Sequence, residues 1–407
     1  MHIHRLLEQR SVRTKVLLAL VVGATAVLAF TAIGSARPTR PAQQQALGSS
    51  VKVGFDAALS GFLAPFDSLV TNGSKIAVDE INKSGGINGK TKINLVLKDQ
   101  KSDAATVVTV AQDLIDSGAQ VLLPGCNLDF QVALASIAQR KNVPVFSPCN
   151  ADPTVPNQFS VYNPVGVGGN RQVAALATYM KSKGYKNIWV LNSNDNGYVK
   201  VITKYILANA KLYHFNVVGQ DNYKVLGTDF SSNITKIQHA SKKPDVIVTG
   251  AFAPDISVFT KQLRAAGVKT PVVGTDGCDT QVTLTTGGSA MNGLTFTTFA
   301  FPKAGTATAK LYKAYKAKFG KNPDSSYVAL GYNAMKVLAA TVGKAGSTDP
   351  KAIRNALKGL TVKSPSGDLH YPASGAPNPK VNVAVVTVKK GKFQLLKEIN
   401  PTLVAAP

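Results

Sequence analysis

Between Gln120 and Pro153 the chain reads QVLLPGCNLDFQVALASIAQRKNVPVFSPCNADP, and this stretch leaves few folds open. Two short apolar runs, Val121-Leu122-Leu123 and Val143-Pro144-Val145-Phe146, each end abruptly in a small or polar loop. Between them Phe130, Leu134 and Ile137 recur at helical spacing. The order is strand, loop, helix, strand, loop, one βαβ unit of a parallel sheet. Ligands of open parallel sheets bind beyond the carboxyl ends of the strands. The loops at Gly125–Asp129 and Ser147–Asp152 are therefore the first candidates for function.

The same rhythm begins at Val51. A strand Val51–Phe55 is followed by an amphipathic helix through Leu69, Ile76 and Ile81, stopped by Gly85-Gly86. Ile93–Leu97 is a second strand, and Asp103 opens a helix through Val107, Val110 and Leu114. The alternation breaks around Phe159–Gly169, of which Tyr162–Gly169 reads as the first crossing between lobes, and resumes with a helix from Asn170. Strands at Ile188–Leu191, Phe215–Val218, Val246–Thr249 and Val272–Gly274 then build a second sheet. After strand-like Leu294–Phe299 come helical stretches at Thr306–Phe319, Ser325–Val342 and Pro350–Leu357. A hairpin turns at Lys389-Lys390-Gly391-Lys392. Late helices must pack somewhere, and the economical arrangement returns them to the first lobe while the hairpin joins the second. The expected fold is α/β and two-lobed, with a doubly wound, mostly parallel sheet in each lobe and three interlobe crossings. Lobe 1 is expected to hold residues 51–165 plus 301–365, and lobe 2 residues 166–300 plus 366–400.

Arg5, Arg10, Arg13 and Lys15 precede an apolar run, Val16 to Ile33, and then Gly34-Ser35-Ala36. Residues 1–36 thus have the layout of a secretory signal, with an uncleaved anchor as the alternative. Residues 37–50, polar and proline-bearing, read as a disordered tether. No other stretch approaches the length of a membrane span. The protein is expected outside the cytoplasm, in the periplasm or on the outer face of the envelope, touching the membrane only through an uncleaved anchor. The formal charge is +24, of which residues 1–47 carry six Lys or Arg and one Glu. The remaining surplus is scattered Lys, without a basic block or aromatic interleaving, which argues against nucleic-acid binding. Neither a G-x-S-x-G elbow nor a P-loop occurs, and Gly166-Val167-Gly168-Gly169 lacks dinucleotide spacing. These absences argue against an enzyme, and no cofactor is expected. His214, His239 and His370 are scattered and no C-x-x-C occurs, so no metal site is expected.

Several motifs fall in order on these elements: Ser60-Gly61, Asp79-Glu80-Ile81-Asn82 with Gly85-Gly86-Ile87-Asn88-Gly89, Gly125-Cys126, Ser147-Pro148, Gly250–Pro254 and Gly274-Thr275-Asp276-Gly277. Together they resemble the type I periplasmic solute-binding proteins of the branched-chain amino acid (Leu/Ile/Val) group, over roughly Val51 to Leu396. The resemblance implies capture of a small solute, an amino acid or a similar compound, in the interlobe cleft and its delivery to the permease of an ABC importer. A ligand-sensing ectodomain with the same lobes is the alternative, as is capture of an amide, polyamine or aromatic compound.

The resemblance also implies a site. Ser60, Cys126, Asn127, Asp129, Asn150 and Ala151 occupy the lobe 1 loops that meet the ligand. Here the usual hydroxyls are missing, and Asp129 brings a negative charge or simply caps its helix. Phe66 stands where relatives carry an aromatic lid, and Asn196 where they often carry Tyr. Phe252 lies in a second-lobe loop, and Asp276 at the acidic position that pairs with a ligand ammonium. Tyr327 and Tyr332 read as packing residues. Cys126 and Cys149 end consecutive strands, close enough for a disulfide if those strands are neighbours, and otherwise are two buried thiols.

Overall fold

The computed structural model describes residues 47–374, 379 and 381–407. The expected signal, residues 1–36, and most of the tether lie outside the described residues. No described helix is long and apolar enough to cross a membrane.

The first half of the chain alternates without interruption. It runs β1 (Ser50–Ala57), α1 (Ala64–Lys83), β2 (Lys92–Asp99), α2 (Ala104–Asp116), β3 (Val121–Pro124), α3 (Leu128–Lys141), β4 (Val145–Ser147), α4 (Val155–Gln158) and β5 (Tyr162–Pro164). Next come α5 (Gly169–Ser182), β6 (Asn187–Asn192), α6 (Gly197–Tyr213), β7 (Asn216–Asn222), α7 (Ser231–Gln238), β8 (Val246–Thr249), α8 (Asp255–Ala265), β9 (Val272–Gly274), α9 (Gln281–Gly287) and β10 (Thr295–Thr298). The chain ends with α10 (Ala307–Phe319), α11 (Tyr327–Ala345), α12 (Pro350–Leu357), the two-residue strands β11 (Thr361–Val362) and β12 (Leu369–His370), and the hairpin β13 (Val383–Lys389) and β14 (Lys392–Ile399).

These strands form two main sheets. The first, in the order β2-β1-β3-β4-β5, is wholly parallel. The second runs β14-β13-β10-β9-β8-β6-β7, parallel from β10 to β7 and closed by the antiparallel hairpin. Both parallel blocks share one topology, in which the chain first adds a strand on one side of the starting strand and then continues on the other. Each sheet therefore has a switch point, at β1/β3 and at β6/β8, where flanking helices diverge and leave a crevice. Burial follows from the helical cover on both faces: all four residues of β3 and all four of β8 are buried, as continuous apolar runs require.

One feature departs from the sequence reading. Tyr162–Pro164, expected within a crossing, is the fifth strand of the first sheet, held by Val145 N–H to the Val161 carbonyl. Its Pro164 is tolerated because β5 is an edge strand. Helix α11 lies directly on α1, where Ser74 Oγ donates to the Gly331 carbonyl at 3.2 Å.

That helix pair touches through backbone. A Cβ on Gly73 would stand 1.9 Å from the Val328 carbonyl oxygen, and one on Gly331 1.8 Å from that of Val70. Neither neighbour is a movable side-chain end, so Gly331→Ala must part the helices. The expected loss is about 2 kcal/mol, read as a lower midpoint in urea at unchanged slope.

Candidate ligand-binding cleft

The loops at the two switch points face each other and enclose one cavity. From the first sheet come Leu63 and Phe66, after β1, and Cys126 and Asn127, after β3. From the second come Asn196 and Tyr198 after β6, Phe252 after β8, and Asp276 and Gly277 after β9. Tyr327, the first residue of α11, completes the lining. The cavity encloses about 400 Å³ of atom-free space including its mouth, of which about 40 Å³ is open to the centre of a water-sized sphere. That suits a small solute.

Each polar group is positioned by its local structure. Asn127 and Asn196 are the N-caps of α3 and α6. Their side-chain oxygens accept from the N–H groups of Phe130 at 3.2 Å and Val199 at 3.1 Å. Asp276, 5 % exposed, sits on a single 3-10 turn directly after β9. Tyr327 donates its hydroxyl to Asp276 Oδ2 at 2.7 Å and Tyr198 to Oδ1 at 3.0 Å. Burial pushes the Asp276 carboxyl above its ordinary range, and the two tyrosine hydrogen bonds act in the opposite direction. Three residues on, Asp279 accepts from the Thr298 hydroxyl and from the Ser326 hydroxyl and N–H. The turn carrying Asp276 is thereby tied to the start of α11.

The apolar part is aromatic. Phe66 lies against Tyr327 with ring centroids 5.1 Å apart, Tyr198 meets Phe252 edge-on at 6.3 Å, and Phe62 stacks on Phe252 at 6.4 Å. Beneath the first-sheet loops Cys126 and Cys149 are joined in a disulfide with 5.3 Å between Cα atoms. Cys278 is free and buried, and burial pushes its thiol up. No group of described side chains is arranged to hold a metal ion.

The profile of the periplasmic binding protein family matches residues 50–392. The chain belongs to that family. Among curated relatives of this periplasmic binding protein, the Leu/Ile/Val-binding protein BraC3 of Rhizobium johnstonii is 27% identical over 80% of this chain and 89% of its own length. The solved leucine-binding protein LivK of Thermotoga maritima is 26% identical, with a TM-score of 0.79 over 86% of this chain and 99% of its own. A solute-binding protein of an ABC transporter from R. palustris, solved with benzoate, shares the fold at a TM-score of 0.75 and 20% identity over 88% of this chain and 98% of its own.

Of the residues singled out in the sequence of this binding protein, Phe66, Cys126, Asn127, Asn196, Phe252 and Asp276 line the one cavity. Four others do not. Ser60 donates its hydroxyl to Asp99 Oδ2 at 2.7 Å, on the exposed side of its loop. Asn150 is buried, with its amide on the Gly166 carbonyl at 3.2 Å, and Ala151 lies beside it against Gly169. Asp129 is not the α3 cap, a role Asn127 fills. Its carboxylate crosses the cleft and accepts the Gly197 N–H at 3.0 Å. Two aromatic residues escaped the sequence reading. Tyr198 supplies the aromatic wall that seemed lost at Asn196, two positions away, and the four-residue polar run before it was the available signal. Tyr327, read as packing, reaches Asp276 across 51 residues of chain, and nothing local marks it.

Proposed function

We propose that this protein captures a small amino compound, an amino acid or a close analogue, in the cleft and delivers it to the permease of an ABC importer outside the cytoplasm. The observation that carries the reading is Asp276. It is a buried carboxylate on the turn after β9 of the second sheet, offered two tyrosine hydroxyls and, among the described residues lining the cavity, no cationic side chain, at one end of an aromatic cavity. Such a group is costly to bury in charged form without a positive partner, and a ligand ammonium would supply one. BraC3 is named for Leu/Ile/Val binding and LivK for leucine binding, which supports the same class. Closure of the two lobes over the solute would present one conformation to the permease.

The test is a thermal-shift screen of the purified protein against amino acids, amino-acid amides, amines and aromatic acids. A ligand at 100 times its Kd should stabilise the protein by ~2.7 kcal/mol, enough to move Tm by a degree or more. Asp276→Asn is expected to weaken binding of the hit about 30-fold or more, the ordinary cost of truncating one partner of a buried charge pair. Hits confined to compounds without an amino group, untouched by Asp276→Asn, would overturn the assignment of Asp276.

A further inference from the structure

A zwitterion needs two complementary ends, and the cleft shows only one. No Lys, Arg or His lines the cavity, whose single formal charge is Asp276. An incoming carboxylate would then depend on backbone N–H groups in the loops and at the N-termini of α3 and α6. Several of those donors are taken by the protein's own acceptors. In the first-sheet loops Asp67 accepts the N–H groups of Ala58 at 2.8 Å and Cys126 at 2.9 Å, while Asp99 takes those of Leu59 and Ser60. In the second, Gly277 N–H donates to the Tyr198 hydroxyl and Ala251 N–H to Thr249. At the helix ends Asn127 and Asn196 cap their own first turns.

The remaining feature is Asp129. It lies in the first turn of α3 and bonds the first N–H of α6, so one carboxylate sits at two helix N-termini that both carry cavity-lining caps. The approach is close enough to require glycine opposite, since a Cβ on Gly197 would fall 2.2 Å from Asp129 Oδ1. The protein thereby places its own negative charge where the fold would otherwise attract one from the ligand.

Resting on the proposed capture of an amino compound, we infer that Asp129 sets the ligand class: the cleft takes amines whose carboxyl group is absent or blocked as an amide, and discriminates against free α-amino acids. An amide offers a donor and an acceptor that suit Asn127 and Asn196, and carries no charge to oppose Asp129 and Asp276.

The test compares matched pairs by titration calorimetry: L-leucine against L-leucinamide, and L-phenylalanine against L-phenylalaninamide and phenethylamine. Wild type is expected to bind the amides or the amine at least about tenfold more tightly than the parent acids, the size of a like-charge penalty at this range. Asp129→Asn is expected to narrow that ratio by improving binding of the acids; general loosening of the cleft would weaken both series together and leave the ratio unchanged. Acids binding as well as or better than amides in wild type would overturn the inference while leaving amino-compound capture standing. A ratio unchanged in Asp129→Asn would overturn the role of Asp129. Silence of every compound with wild type would overturn the inference together with the reading beneath it.

Discussion

Replacing Cys126 and Cys149 together with alanine is expected to lower the unfolding free energy by about 3 kcal/mol and to weaken ligand binding as well. The bridge spans a sequence separation of 23. Cross-linking a loop of that length restricts the unfolded chain by about 3 kcal/mol on the loop-entropy account. The bridge also joins the loops after β3 and β4, and Cys126 lines the cavity while its N–H holds Asp67. Freeing that loop should therefore cost affinity in addition to stability. Guanidinium titrations of wild type and the double variant would check the stability term, with each slope fitted separately because the unbridged unfolded chain is free to expand. Thiol titration provides an independent control, because the chain has 3 Cys and the bridged form should expose one thiol in denaturant. Equal midpoints for the two proteins would contradict the expectation.

Stability is also expected to fall as the pH rises from about 4 to about 8, with Asp56 contributing beside Asp255, Asp276 and Asp279, all raised by burial. Asp56 lies near the end of β1, 1 % exposed, and neither carboxyl oxygen has a protein hydrogen-bond partner among the described residues. Burial first, then the nearby charges of Asp67 and Asp99, push it up to about 8. Asp67 is also raised, to about 6, but accepts two backbone N–H groups that favour its ionised form. At neutral pH the proton therefore stays on Asp56 and the charge on Asp67. In the unfolded chain Asp56 would ionise near its ordinary value of about 4. Between these two values the folded state holds the extra proton, so each step up in pH favours unfolding; below the window the penalty vanishes and above it the penalty is complete. Asp56→Asn keeps the shape and removes the titration. The variant should match wild type within about 1 kcal/mol at pH 4.5 and exceed it by on the order of 3 kcal/mol at pH 8. Parallel stability curves for the two proteins would sink the assignment. Asp255, raised to about 7 by burial, acts in the same direction and leaves a residual slope in the variant.

Both residues show why the cleft was only half legible in the sequence. Asp56 reads as the start of a loop, because a carboxylate rarely belongs in a buried strand. The structure extends β1 through Ala57 and places Asp56 level with Pro124 of β3. Asp129 reads equally well as a ligand contact or a helix cap, since both roles follow a strand and open a helix. Only the opposite lobe, with Gly197 at 3.0 Å, separates the two.

The sequence by itself determined the alternation of strand and helix, the parallel sheets and the loops that hold the cleft. These follow from period, apolar runs and capping residues such as Asn127 and Asn196, which act over a few residues of chain. Phe66, Phe252 and Asp276 were named through the family resemblance, each from its place at the end of a strand or the start of the helix after it. Tertiary structure alone decided which groups meet. Tyr327 is brought to Asp276 because α11 packs on α1 through Gly73 and Gly331. Tyr198 turns into the cavity because Asn196 caps α6 two residues earlier. Asp129 spans the cleft because two helices from different sheets end face to face. Contacts of this kind depend on how whole lobes pack, and no local pattern of residues encodes that.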